Sequence, residues 1–313
     1  MKLLARTILA LVCAVTTLNG ADTVELKQRW ETGKKYIFTT QTSQQSTVTI
    51  GTVKAEQTAG MTMETSVSVR PYEDGKRKEL TMRYDRVSME LLINGQKLGY
   101  DSAKPNEGTD PLGLGKSVGA LVGKELKILT DEKDTPAEVE NYDEFVEQMK
   151  AAGSPAGLDV TKMFTRPGLV ETLKQGSLQA FPDHPVAPGD SWSFSTKVTM
   201  AQIGTVTVKG TYTFKGMTSH GGAQCAEIVT DGTLSLELEG GDAEAAKLGA
   251  KIIKGTMKGP VWFDPQLGMA REANLDHDLT ISIKNPLDAS GGDLAVPMKQ
   301  TAKYTLTRIE DLK

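Results

Sequence analysis

Asp276-His277-Asp278 sets an imidazole between two carboxylates, the residue types of a metal site or an acid–base pair. Successive side chains of a strand leave on opposite faces. The run around this triplet alternates, so both aspartates are expected in water and His277 on the apolar face, held by a local hydrogen bond rather than by zinc. The other histidines, His184 and His220, fall in expected loops without the two-histidine or Cys/His spacing of a zinc site. Gly113-Leu114-Gly115-Lys116-Ser117 ends like a phosphate loop. The first glycine of that motif would be residue 110, which is Asp110, and no parallel β–α unit surrounds it. No nucleophile elbow is expected. Paired carboxylates for glycoside cleavage need a separation that sequence does not show. Cys225 lies in a strand-like run with no positive partner nearby and reads as a small buried hydrophobe. Three tryptophans, Trp30, Trp192 and Trp262, do not favour a sugar groove; the last two stand at strand ends, where anchoring the core is the expected role. No catalytic residue, metal ligand or cofactor is assigned.

The elements that would position any such group are strands, because the dominant periodicity is two. Over 204–216, Val206, Val208, Tyr212 and Phe214 share one parity, and Thr205, Thr207, Lys209, Thr211, Thr213 and Lys215 share the other. This pattern describes a wall on a core and a wall in water. Residues 269–283 repeat it, with Leu275, Leu279 and Ile281 on the apolar side, and Ile228, Leu234 and Leu236 do the same. In 79–92 the apolar parity changes between Tyr84 and Val87, which predicts a β-bulge or tight turn at Asp85-Arg86. Turn signals at Glu73-Asp74-Gly75, Asn94-Gly95, Gly221-Gly222 and Asp264–Gly268 join these runs, as in antiparallel meanders. A hairpin is expected around Asp131–Asp134, a helix over 142–152 with Phe145, Val146 and Met149 as its apolar stripe, and further short helices near 112–122 and 169–178. The Gln/Thr/Ser-rich run Thr39–Thr49 is the expected sheet edge.

Gly33, Tyr36 and Phe38 share their spacing with Gly189, Trp192 and Phe194, and each trio opens a Thr/Ser-rich strand. Two copies of one β unit account for this. The expected organisation is a signal peptide over 1–21, a first β repeat over 22–110, a helical and hairpin connecting region over 111–180, a Pro-rich linker over 181–188 and a second β repeat over 189–313. The leader has Lys2 and Arg6 before the apolar stretch Ile8–Val15, too short to span a bilayer. Export to the periplasm or the extracellular space follows.

The formal charge of −4 becomes −6 without the leader, with 34 basic residues against 40 acidic ones. That balance is wrong for a phosphate-backbone partner, so nucleic acid is not expected. No later segment is apolar for long enough to form a transmembrane helix.

Arg29–Tyr36, Leu121–Ile128, Pro185–Trp192 and the Gly259–Gly268 hairpin together resemble a bacterial family of secreted proteins known only as a domain of unknown function. The resemblance implies no catalytic residues. At the level of fold, two antiparallel halves with interposed helices are similar to periplasmic lipoprotein carriers, in which a curved sheet holds acyl chains under a helical lid.

The fold expected is mainly β, two related curved antiparallel halves with short helices on one face. The leading function is non-catalytic: binding of an apolar small molecule, a lipid or an acyl chain, on a wall made by Val206, Val208, Tyr212, Phe214, Leu275 and Ile281. The same residues serve equally as plain core, which leaves a structural module or a partner for an envelope protein. A hydrolase is third.

Overall fold

The structure is a computed structural model that describes residues 23–50, 53–105, 107–108, 110, 113, 118–151, 165–166, 168–170, 178, 180–200, 204–237, 249, 251–285 and 292–312. The expected signal peptide and Cys13 therefore lie outside the described residues, as does most of the helices expected near 112–122 and 169–178.

Among the described residues, twelve strands form one antiparallel sheet that curves without closing. In chain order they are β1 (Lys34–Ile50), β2 (Val53–Pro71), β3 (Lys78–Ile93), β4 (Gln96–Asp101), β5 (Glu125–Thr130), β6 (Pro136–Val139), β7 (Ser191–Met200), β8 (Gly204–His220), β9 (Ala223–Glu237), β10 (Lys251–Asp264), β11 (Met269–Lys284) and β12 (Asp293–Asp311). Across the sheet the order is β6-β5-β3-β2-β1-β12-β11-β10-β9-β8-β7, with β4 paired to β3. The halves meet where β1 pairs β12, from Lys34↔Asp311 to Ser46↔Met298, with one register shift between Ile37 and Phe38. Thr39–Ser46 is thus central, paired with both β2 and β12, and not an edge; Thr47–Thr49 pair β2 alone. Its polar composition misled because edge character belongs to the unpaired backbone. The edges are the four-residue β6, opened by Pro136, β7, and the short β4, which pairs β3 alone.

Most of the turn chemistry behaves as read. Asn94 and Gly95 both have positive φ (49° and 84°), the conformation of a two-residue type I′ hairpin. The Asp131 carboxylate accepts hydrogen bonds from the Lys133 and Thr135 amides, 2.8 Å each, and so forms the β5–β6 turn. On β3, Thr65 faces Tyr84 while Glu64 faces Arg86, leaving Asp85 as the extra residue of a bulge. Leu80, Met82, Tyr84, Val87 and Leu91 all stay buried because the bulge resets the parity.

The inner face of the sheet carries two cores. The first gathers Tyr36, Phe38, Val67, Leu80 and Ile128 under the helix α1 (Tyr142–Ala151), whose Phe145 and Met149 are buried in it. Trp30 packs edge-on to Tyr36, ring centroids 5.2 Å apart. The second gathers Phe194, Tyr212, Phe214, Ile228, Val261 and Phe263, covered by Leu26, Leu178 and Val186. The Pro-rich run 181–188 lies against this core: Val186 bridges to Val24, and the Phe181 ring sits 5.5 Å from that of Phe263. Thr205 and Thr207, expected in water, are buried. Period two identifies which residues share a face, not what covers that face. Among the described residues no helix is long and apolar enough to cross a membrane.

Candidate functional site

Val206, Val208, Tyr212 and Phe214 lie side by side on the inner face, all within the second core, and the Tyr212 ring is stacked 4.4 Å from Phe194. Leu275 packs against the margin of that core, and Ile281 stands farther along β11, half-buried. The six residues thus share a face but not an environment: four are covered, and two border a surface that neither core occupies.

That surface is a strip on the inner face of β2, β1, β12 and β11. Strand register fixes its membership: Met61 faces Thr42, Thr42 faces Ala302, and Ala302 faces Leu275. Along the same face, Leu279 faces Met298, Ile281 faces Val296, and Met89 of β3 faces Met61. All these side chains are half-buried. Methionine is well suited to such a floor, since its unbranched, polarizable chain adapts to irregular neighbours.

One cross-strand row of the strip is polar. Gln44 faces Gln300, and Gln300 faces His277. The Nε2 of Gln44 lies 4.0 Å from the Met298 sulfur, a weak acceptor. The Nδ1 of His277 is buried with no hydrogen-bond partner. Burial holds the imidazole below its ordinary value of 6.5, and the Asp276 charge and the Gln300 backbone offset this only in part. His277 therefore faces the apolar side as its spacing requires; the ring has a hydrogen bond with the Gln300 backbone, while its Nδ1 has no partner. Asp276 and Asp278 face the opposite side, where Asp278 pairs with Lys254 at 2.6 Å.

The outer face is polar and hollowed. A cleft of about 870 Å³ is lined mainly by its side chains, among them Gln41, Ser43, Glu90, Lys97 and Lys303, with Gly60 and Gly99 leaving space on either side of Glu90. A second cleft of about 310 Å³ adjoins Gln45, Lys54 and Leu92. These are not the enclosed apolar volume that a carrier calls for.

His220 ends β8 rather than lying in a loop. Its ring stacks on Trp262 with centroids 4.1 Å apart, and its Nε2 is 3.7 Å from Glu272. Trp262 accordingly sits on the outer face and anchors no core. Trp192 does, donating from Nε1 to the Ala180 carbonyl at 2.9 Å. His184 pairs with its neighbour Asp183 on the surface. Cys225 is free and buried, and burial raises its thiol above the usual range. Among the described residues no three His, Cys, Asp or Glu side chains gather as a metal site. The expectation of no nucleophile elbow needs correction: Gly115-Lys116-Ser117-Val118-Gly119 has the Gly-x-Ser-x-Gly spacing. An elbow also needs a strand running directly into it. Among the described residues the preceding strand, β4, ends at Asp101, and Ser117 itself lies outside them.

A family model described as "Family of unknown function (DUF6263)" matches residues 75–270. No curated protein matches the chain. Among solved structures, one of lipovitellin, described by its lipid–protein interactions, aligns with 91% of this chain at 11% identity and a TM-score of 0.50. This chain spans only 26% of that one. DynF from the dynemicin biosynthesis pathway of Micromonospora chersina aligns with 94% of this chain and 88% of its own, at 8% identity and a TM-score of 0.22. The translocator domain of the autotransporter NalP from Neisseria meningitidis aligns with 88% and 89%, at 8% identity and a TM-score of 0.21. The lipovitellin likeness is one of fold; the other two are too slight to carry an argument.

Proposed function

The chain belongs to this family of unknown function, and from that premise we propose that it is an exported, non-catalytic protein that holds an apolar ligand, a lipid or acyl chain, against the inner face of its sheet. The observation that carries the reading is the half-buried strip of Met61, Met89, Met298, Leu279, Ile281 and Val296, which belongs to neither buried core. A sheet built only to be stable would cover such a surface, because burying apolar area stabilises by about 25 cal/mol per Å². The likeness of fold to a lipid-associated protein supports it. An envelope structural or interaction module is the second reading. It is favoured by the burial of Val206, Val208, Tyr212 and Phe214 within the second core. A hydrolase remains third.

The test is extraction and mass spectrometry of lipids carried by the purified protein, alongside binding of the neutral dye N-phenyl-1-naphthylamine. Bound lipid and saturable dye binding are expected, and Leu279→Arg should abolish both while leaving the folded far-ultraviolet spectrum intact. A clean lipid extract together with no dye binding by the unaltered protein would overturn the carrier reading in favour of the second.

A further inference from the structure

The cleft of about 870 Å³ on the outer face has no role in the inner-face reading, yet its size falls within the roughly 300–1,000 Å³ of small-molecule sites. Two cross-strand rows make its floor. In one, Lys303 faces Gln41, Gln41 faces Thr62, Thr62 faces Ser88, and Ser88 faces Asp101. In the next, Thr301 faces Ser43, Ser43 faces Gly60, Gly60 faces Glu90, and Glu90 faces Gly99. Gly60 opens the hollow: a Cβ there would have the Thr42 carbonyl oxygen, at 3.9 Å, as its nearest neighbour. Each charged side chain at the cleft already meets an opposite charge. Glu90 pairs with Lys97 at 2.8 Å, Asp101 with Arg86 at 2.6 Å, Lys303 with Glu272 at 3.2 Å and Glu107 with Lys104 at 2.9 Å. Gln41, Ser43, Thr62 and Ser88 are neutral, and among the described residues none of the four makes a side-chain hydrogen bond. The backbone beneath them is already used, because β1, β2 and β3 are each paired on both sides along these rows. An extended peptide therefore cannot add a strand here.

We propose that this cleft binds a neutral glycan chain, whose hydroxyls exchange hydrogen bonds with Gln41, Ser43, Thr62 and Ser88 while one sugar ring lies in the hollow over Gly60. The proposal goes beyond the inner-face reading and does not depend on it. An anionic ligand would find no unpaired cation at the cleft, and a cationic one no unpaired carboxylate. An apolar ligand would strip water from the four neutral groups and return no hydrogen bond, which is costly. A sugar hydroxyl both donates and accepts, as do the Ser and Thr hydroxyls and the two ends of the Gln amide, so the two sets are complementary. Neighbouring strands lie about 4.8 Å apart. Gln41, Thr62 and Ser88, on three successive strands, thus repeat a polar contact at intervals on the scale of one pyranose ring. That repetition favours a chain over a single sugar. Tyr100, the one aromatic residue at the cleft, belongs to the inner-face parity through its pairing with Met89. Hydrogen bonds rather than ring stacking therefore set the affinity, and the scarcity of tryptophan argues only against a groove built on stacking.

The experiment follows backbone amide NMR spectra of the full-length protein titrated with maltohexaose, cellohexaose and chitohexaose. Glucose, N-acetylglucosamine and an oligogalacturonate of the same length serve as contrasts. At least one neutral hexasaccharide is expected to bind saturably, about tenfold more tightly than its own monosaccharide, the worth of one or two added hydrogen bonds. It should move the amide signals of Ser43, Gly60 and Gly99, and the acidic chain should bind more weakly. Gly60→Leu, which fills the hollow, should abolish binding. Thr62→Val, which removes one hydroxyl, should weaken it about fivefold. Thr39→Val, on the same face outside the cleft, should leave it unchanged. If Gly60→Leu does not fold, the contrast between Thr62→Val and Thr39→Val decides. No saturable binding by any neutral hexasaccharide, equal binding by the monosaccharide, preference for the acidic chain, or signals moving only away from the cleft would each overturn the assignment. None of these outcomes touches the inner-face reading, whose own test is lipid extraction and dye binding.

Discussion

Gly210 faces Gly232 across β8 and β9, and the Phe194 ring lies over both: a Cβ on Gly210 would stand 2.7 Å from Phe194 Cε1 and 2.5 Å from the Asp231 carbonyl oxygen. Glycine normally weakens a strand interior, and an aromatic ring laid across it recovers the lost contact. Gly210→Ala is therefore expected to cost about 1–3 kcal/mol through overpacking, whereas Gly232→Ala, with no contact closer than 3.2 Å, should cost less. Thermal unfolding of the two variants measures the difference. His277 gives the pH dependence at this scale. Its proton affinity is lower folded than unfolded, so the unfolded chain binds more protons as pH falls. The stability tied to the neutral ring is complete above its ordinary value of 6.5 and declines below it. Urea titrations between pH 8 and pH 5 should show this slope, and His277→Leu should flatten it. At this scale the sequence was half legible. Alternation placed His277 on the apolar face, but the orphan nitrogen and its Gln300 and Gln44 neighbours are set by the pairing of β1, β12 and β11. Those strands are separated by most of the chain, and no local pattern encodes their register.

Among the elements, β3 shows how a bulge protects a pattern. Deleting Asp85 removes the extra residue, so either Leu80, Met82 and Tyr84 or Val87 and Leu91 must turn outward. The deletion variant is expected to lose its cooperative thermal transition. Replacing the same residue, Asp85→Ala, keeps the residue count and should leave the transition within a few degrees, as for surface substitutions generally. The helix α1 is held by its apolar side: Phe145 is fully buried in the first core, and Phe145→Ala should cost about 3–5 kcal/mol. Denaturant unfolding followed by far-ultraviolet circular dichroism would measure it. Bulge, hairpins and helix stripe were all readable because each depends on residues close in sequence. The placement of β1 was not. Its run of Thr, Gln and Ser looks like solvent-facing edge, yet its neighbours are β2 and the last strand of the chain. Only the return of β12 to the first strand makes it central.

At the scale of the molecule, two cores share one continuous ladder, and Tyr304 on β12 packs against both. The β1–β12 seam runs over 13 Cα partners, so neither half can lose its sheet without exposing the other's flank. A single calorimetric transition is expected, and Leu80→Ala in the first core and Phe214→Ala in the second should both move that same transition down. Two resolved peaks, each answering to only one of the substitutions, would show the halves to be independent. Alternating strands and turn signals made the mainly β, antiparallel character legible; the union of both halves in one ladder was not, because it is a long-range pairing.

An unclosed ladder has a mechanical property that a barrel lacks. In a barrel, strand number and stagger fix the bore. Here the margins at β6 and β7 are not stitched to one another, so the sheet can roll tighter or flatten by small changes of twist while every rung between neighbours stays intact. On the proposed carrier reading, a short and a long ligand would then be met by different curvatures of the same floor, and chain length would be selected only loosely.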